Sequence, residues 1–304
     1  MACIEKIYSV SAVIGNGACN GNCPFCAGTY LRPQALDVSP LYWKNYASAI
    51  KLCARYGGWS LSLTSSGEPT CDPRAITKAL DVYSECAAQG AYMPNVNLFT
   101  NGILLGDRDY CNKWLPEWKR LGLTNIAISV HSVDRWRQGA AYGINKPFPE
   151  HMSFIPQEAF GYPKFEDIFA NIRMHGIGVR TTLLLRRGEV DSWYTYKASV
   201  KRLIAMGSDN ITSWPVGLPD GSRSEYTPSR WGLATIRLWL RTQAKLCHGH
   251  VWGGGVYDYN GAILRMTDYV TKHDPDLDFV RQLVVFQDGT VAYSWIKDGA
   301  LCMK

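Results

Sequence analysis

The chain has no apolar run approaching the ~18 residues that a membrane span needs, and its first residues lack the charged-then-apolar form of a secretory leader. A cytoplasmic protein with no membrane partner is therefore expected. Charge is also scarce. Asp, Glu, Lys and Arg make up 19% of the 304 residues, and the formal net charge is only +6, spread along the chain. Such a balance does not announce nucleic acid, although it is compatible with an anionic substrate or cofactor. There is no internal repeat and no low-complexity tract. What is present is material for a core: 46% of residues are hydrophobic, and α/β barrels reach this length as one unit. Ten cysteines in a reducing compartment point to core thiols or metal ligands rather than disulfides.

Segments rich in β-formers alternate with helical patterns as far as about residue 249. The clearest strands are YSVSAVIG (8–15), WSLSLTS (59–65), VNLFTN (96–101), NIAISVH (125–131), GVRTTLLL (178–185) and NITSWPV (210–216). Between them, Ser39-Pro40 opens a helix that Gly57 closes, and Asp72-Pro73 opens one that Gly90 closes. Further helices are expected over roughly 107–121, 165–175, 191–206 and 228–248. Six β-α units make a parallel sheet, either doubly wound or a partial barrel. The tail after residue 250 reads instead as hairpins, one of them turning at Asp288-Gly289. Residues 133–164, rich in Pro, Gly and aromatics after the fourth strand, read as a lid or a passive cover. The expected division is residues 1–250 as the barrel, with the 133–164 insertion, and 251–304 as an extension packing on it.

Cys19, Cys23 and Cys26 crowd into ACNGNCPFCAGTY with the spacing C-x3-C-x2-C. Cys53 and Cys86 sit at helical spacing from apolar neighbours, as core thiols do, but the loop cysteines have no such periodicity. A structural zinc site wants four ligands, commonly as two C-x2-C pairs, and no fourth is near. Three thiolates suit a cubane iron–sulfur cluster with one iron left open to a small chelating molecule. The intervening Asn20, Gly21 and Asn22 tolerate left-handed backbone and suit a loop wrapping an inorganic core.

With Phe25 before the last cysteine, this stretch resembles the signature of the radical S-adenosylmethionine (radical SAM) superfamily. Two neighbours extend the resemblance over most of residues 8–216. TSSGEPT ends the second strand, retaining Gly67-Glu68 of a Gly-Gly-Glu motif with Ser66 in place of its first glycine, and FTNG (99–102) ends the third. The resemblance implies a partial (β/α)6 TIM-type barrel with a C-terminal β-hairpin extension. It also implies a [4Fe–4S] cluster on Cys19, Cys23 and Cys26, and reductive cleavage of SAM to a 5′-deoxyadenosyl radical that takes hydrogen from a substrate. By the same resemblance Phe25, Gly67, Glu68, Asn101, Ser129, His131, Arg180 and Trp214 would border SAM. Glu68 would receive its ammonium group, directly or through its neighbouring backbone, Ser129 and His131 its ribose or carboxylate, Arg180 its carboxylate, and the segment around Trp214 its adenine. A donor such as flavodoxin or ferredoxin would supply the electron. Only Cys247 and Cys302 lie toward the C-terminus, too few for a second cluster, so one is expected.

Strand parity adds detail from the residues themselves, since alternate side chains face opposite sides. Ile126, Ile128 and Val130 should face helices, with Asn125, Ala127, Ser129 and His131 toward the lumen. Arg180, Thr182, Leu184 and Arg186 should likewise face inward, as should Ser62 with Thr64 and Thr212 with Trp214. Cys71, just past GEPT, is a candidate hydrogen donor to a product radical or an ordinary loop thiol. Arg186-Arg187 is a candidate anion-holding pair or a solvated rim. Arg135, Trp136 and Arg137 combine ring and guanidinium groups that suit a base and phosphate. A nucleotide, or a modified base within nucleic acid, is therefore the first substrate class and a peptide or amino-acid derivative the second. A barrel that binds metal without catalysis is the non-enzymatic alternative.

Overall fold

The computed structural model describes residues 4–26, 28, 40–144, 161–218, 222–250, 254–267, 278–295 and 301–303. Residues 145–160 of the expected lid lie outside them. The framework is a run of parallel strands joined by helical crossovers: β2 (Ser9–Val13), β3 (Ser60–Thr64), β4 (Asn95–Thr100), β5 (Asn125–Val130), β6 (Gly178–Leu185) and β7 (Asn210–Pro215), preceded by the short β1 (Lys6–Ile7). They hydrogen-bond in sequence order, β2 to β7, every pair parallel. The helices are α1 (Pro40–Arg55), α2 (Pro73–Ala88), α3 (Arg108–Arg120), α4 (Arg135–Ala141), α5 (Phe165–Met174), α6 (Trp193–Ala205) and α7 (Arg230–Gln243).

Local chemistry accounts for the helix ends. Asp72 caps α2, its Oδ1 accepting from Ala75 N at 3.3 Å, with Pro73 at the first helical position where no N–H is needed. Past its end Gly90 takes φ 92°, which a residue with a Cβ resists. Ser192 and Thr195 form a reciprocal capping box at α6. The core lies between strands and helices: Ile126, Ile128, Val130, Leu183 and Leu185 are fully buried there, and so is Cys53, while Cys86 is nearly so.

The tail departs from the expectation at two places. The helix expected to reach 248 stops at Gln243, because Ala244 turns extended and Lys245–Gly249 pairs as β8 with β9 (Gly255–Tyr259). Nor does the tail merely pack against the barrel, since its strands enter the barrel sheet at both edges. β9 turns through Asn260-Gly261, both at positive φ, into β10 (Ala262–Met266), which lies parallel to β7. At the opposite edge β12 (Leu283–Val285) lies parallel to β2 and turns through Asp288-Gly289 into β13 (Val291–Ala292), with β14 (Leu301–Met303) beyond. β11 (Phe279–Val280) pairs with β1. The second hairpin braces the top of the barrel. Gln287 Nε2 donates to the carbonyl of Gly15, its Oε1 accepts from Ser66 Oγ at 3.3 Å, and Asn45 of α1 donates to the Gly289 carbonyl at 2.8 Å. Two loops that carry the site are thereby tied to one buried amide.

Candidate active site

The lumen encloses a cavity of about 680 Å³, within the range of small-ligand sites. Parity explains its walls. Ser60, Ser62 and Thr64, then Asn125 and Ser129, then Arg180, Thr182 and Leu184, then Asn210, Thr212 and Trp214 all face it. Ala127 is buried without lining it.

At the C-terminal ends of the strands, Cys19, Cys23 and Cys26 line the cavity with Phe25, Gly67, Glu68, Asn101 and His131. The cysteine loop is shaped by backbone contacts. Gly15 and Gly17 take φ near 79° and 77°, and Asn16 Oδ1 accepts from Ala18 N at 2.9 Å. Left-handed backbone therefore precedes the thiols, and among the described residues Asn20, Gly21 and Asn22 do not use it. Glu68 N donates to the Ala18 carbonyl at 2.8 Å, and Asn101 Nδ2 to Asn20 Oδ1 at 2.7 Å. Gly67 lies so close to the Gly17 and Ala18 carbonyls that an added Cβ would collide with both oxygens. Gly67→Ala is thus expected to part the two loops at a cost of about 1–3 kcal/mol and to lower iron retention after reconstitution. Urea denaturation and iron analysis test this, and unchanged values for both would refute the close-approach role.

Glu68 is 4% exposed, and both its carboxylate oxygens accept hydrogen bonds. Its Oε1 accepts from Thr70 N (2.9 Å), Thr70 Oγ1 (2.7 Å) and Thr100 Oγ1 (2.6 Å), while Oε2 accepts from Asn101 N (2.7 Å). Burial lifts its pKa above the usual carboxylate range, and the four hydrogen bonds oppose that rise. The side chain is first of all a bolt between the β3 and β4 loops, with little acceptor capacity left for an ammonium group.

The protein does not hold the Cys23 thiol as an anion. Burial pushes Cys23 up to about 12, helped by the adjacent Cys26 and Cys19, so a metal must displace a proton from it. Among the described residues no three His, Cys, Asp or Glu side chains gather tightly enough to hold a single ion. A cubane asks for less convergence, since each thiolate takes its own iron corner. Two buried polar atoms beside the loop, Asn20 Nδ2 and His131 Nδ1, have no hydrogen-bond partner among the described residues, as expected of groups awaiting a ligand. The donor set fits a cluster with one open corner.

His131 packs edge-on against Phe25 at 4.8 Å and Tyr142 at 4.9 Å. Burial, and then the charge of Arg186, lowers it to about 3, so its imidazole is neutral. The unfolded side chain titrates near ~6.5, and the unfolded state therefore binds the extra proton first as pH falls. Stability should decline below about pH 6.5, by up to ~1.4 kcal/mol per pH unit from this group. Denaturation of the cluster-free chain at about pH 7 and about pH 5.5 should show this slope reduced in His131→Gln. An equal slope in both proteins would contradict the assignment.

Other candidate residues fall differently. Arg180 reaches across the lumen, donating to Asn97 Oδ1 at 2.8 Å and Thr212 Oγ1 at 3.5 Å. Asn97 stands four positions before Asn101, ~13 Å along an extended strand, so the guanidinium lies well below the cysteine loop rather than beside it. Cys71 ends the 3-10 turn Pro69–Cys71 near the Asn20 backbone and Cys19, outside the cavity lining, where a hydrogen donor to a substrate radical gains no geometric support. Arg186 stacks on Phe25 at 5.3 Å and faces Glu189 at 3.8 Å, which occupies it as an anion-holding group, whereas Arg187 is exposed, as a solvated rim residue is, and donates to the Thr227 carbonyl at 3.2 Å. Arg135, Trp136 and Arg137 do not line the cavity; Arg137 pairs with Glu189 at 3.6 Å.

Several contributors were not read from the sequence. Gln138, fully buried on α4, accepts from His131 N at 2.7 Å and Ser132 N at 2.9 Å and donates to the Ser129 carbonyl at 2.8 Å. It fixes the end of β5, so the described part of the insertion acts as a strut. From the tail come His250, Arg265, Arg281 and Gln282. Alternation in AILRM puts Arg265 opposite the buried Ala262, Leu264 and Met266, yet only pairing with β7 turns that face toward the lumen.

A mainly parallel α/β barrel that presents three thiols at the C-terminal ends of its strands defines a class of metallocluster enzyme. The profile of the radical SAM superfamily matches residues 13–192, and the chain belongs to that superfamily, whose enzymes use a [4Fe–4S] cluster and SAM. Among characterised relatives, GTP 3′,8-cyclase of Haemophilus influenzae (strain PittEE) is 28% identical over 193 residues, 58% of this chain and 53% of its own. GTP 3′,8-cyclase of Pasteurella multocida (strain Pm70) is 26% identical over the same length. The chain spans about half the length of these curated relatives. Among solved structures, polyhistidine-tagged anSMEcpe with bound AdoMet superposes with a TM-score of 0.60 at 12% identity, covering 98% of this chain and 77% of that one. Streptococcus suis SuiB bound to precursor peptide SuiA gives 0.58 at 10% identity, covering 98% and 62%. At such identities these two establish the shared fold. Among the described residues no helix is long and apolar enough to cross a membrane.

Proposed function

We propose that this radical SAM enzyme abstracts hydrogen from a nucleotide or a modified nucleobase. The observation that carries the reading is the lumen itself. Its lining combines aromatic side chains, Tyr8, Trp59, Phe99, Trp214 and Trp295, with arginines and small hydroxyl and amide groups. Flat rings and guanidinium groups recognise a base and its charged substituents, and the similarity to GTP 3′,8-cyclases favours the same class. When bound, the cluster and SAM supply the 5′-deoxyadenosyl radical. The chain's own residues then have positional tasks: Cys19, Cys23 and Cys26 hold the cluster, Gly67 and Glu68 set the loop beside it, and neutral His131 offers Nδ1 to a ligand in the cavity.

The test is anaerobic turnover with deuterated nucleotides, following deuterium into 5′-deoxyadenosine by mass spectrometry. Transfer from a ribose or base carbon is expected. If 5′-deoxyadenosine forms but nucleotides transfer no deuterium while peptides do, the nucleotide reading falls.

A further inference from the structure

We propose that Arg180, Arg265 and Arg281 form an anion site at the floor of the barrel that takes a phosphate group of the substrate. This deepens the nucleotide reading and rests on it for the remainder of the molecule. The three side chains come from β6, β10 and the segment between β11 and β12, and all line the one cavity. Arg180 feels the charge of Arg265, and His250, which lines the same cavity, feels both Arg265 and Arg281. Burial is the leading cause that lowers each of them, Arg180 and Arg281 to about 10.

Gathering like charges in a desolvated space is costly unless an opposite charge joins them. Among the described residues no carboxylate pairs with two of them. Among the described residues Arg180 and Arg265 have only neutral partners, Asn97 and Thr212 for the first and Asn210 for the second. Arg180 Nε, buried, has no acceptor among the described residues. The one carboxylate among the lining residues, Glu68, is at the opposite end and is consumed by Thr70, Thr100 and Asn101. The planar donor fork of a guanidinium group matches the several oxygens of phosphate. An anion held at this floor leaves the rest of its molecule between the floor and the cysteine loop, ~13 Å above along β4.

Calorimetric titration of the reconstituted holoenzyme provides the test, with guanosine, GMP, GTP, inorganic diphosphate and succinate as probes. The phosphorylated probes should bind, and GMP should bind about 10- to 100-fold more tightly than guanosine. Arg265→Gln should remove that advantage while leaving guanosine affinity unchanged, and Arg265→Lys should keep part of it. Should Arg265→Gln not fold by circular dichroism, Arg180→Gln carries the same measurement. Arginine-dependent diphosphate binding without binding of any nucleoside or nucleotide supports the anion site while the nucleotide reading falls. Equal affinities for guanosine and GMP, no effect of either glutamine variant, or preference for succinate over diphosphate overturn the anion site and leave the nucleotide reading standing.

Discussion

Cys23→Ser is expected to take the anaerobically reconstituted protein from about four irons per chain to less than about one, and with them its formation of 5′-deoxyadenosine. A hydroxyl is a poor ligand for iron in a sulfide cluster. At this half-buried position, with Cys19 and Cys26 as neighbours, an anion is disfavoured even for the more acidic thiol. Among the described residues, 14–26 form no strand or helix, so circular dichroism should be unchanged. Cys53→Ser is the control. Cys53 is fully buried in α1 against the carbonyl of Ile7, and its replacement should lower stability while leaving the iron count intact. Full iron loading of Cys23→Ser, or about one zinc per chain in the wild type, would remove the basis for the cluster.

The difference between those two cysteines is legible in the sequence, and the reason is range. Cys53 shares a helical face with Tyr46 and Ile50, a pattern complete within eight residues, and the C-x3-C-x2-C spacing is equally local. Strand parity is local too, which is why it puts Ser129, Arg180 and Trp214 on the lumen face, and all three line the cavity. Parity tells which way a side chain points but not how far along the barrel it lies. The level of Arg180 depends on its reach to Asn97, 83 positions away in sequence. The tail escaped for the same reason, since nothing within LVV or AILRM says that one strand joins β2 and the other β7. With those pairings unread, Arg265, Arg281 and the brace at Gln287 were invisible. Arg186-Arg187 reads from sequence as an anion-holding pair or a solvated rim, and the two residues divide: Arg186 is taken up by Phe25 and Glu189, while Arg187 is exposed and bonds the Thr227 carbonyl.

Glu68→Ala should cost about 3–5 kcal/mol in the cluster-free chain, which separates a structural bolt from a surface ligand. The substitution strands four donors at once in a space with almost no solvent: Thr70 N, Thr70 Oγ1, Thr100 Oγ1 and Asn101 N. Hydroxyls can rotate to other acceptors, but the two backbone N–H groups cannot, and each buried orphan costs about 1–3 kcal/mol. Glu68→Gln tests the account more finely. Its single carbonyl oxygen can keep the three bonds made by Oε1, but its amide nitrogen then faces Asn101 N–H, donor against donor. An intermediate loss is expected, together with loosening of the Asn101–Asn20 contact that links this bolt to the cysteine loop. Iron retention should therefore follow the stability order, wild type above Glu68→Gln above Glu68→Ala. If urea denaturation instead shows both variants as stable as the wild type and only SAM affinity falls, Glu68 acts on the ligand directly, and the hydrogen bonds that now occupy its oxygens must open when SAM binds.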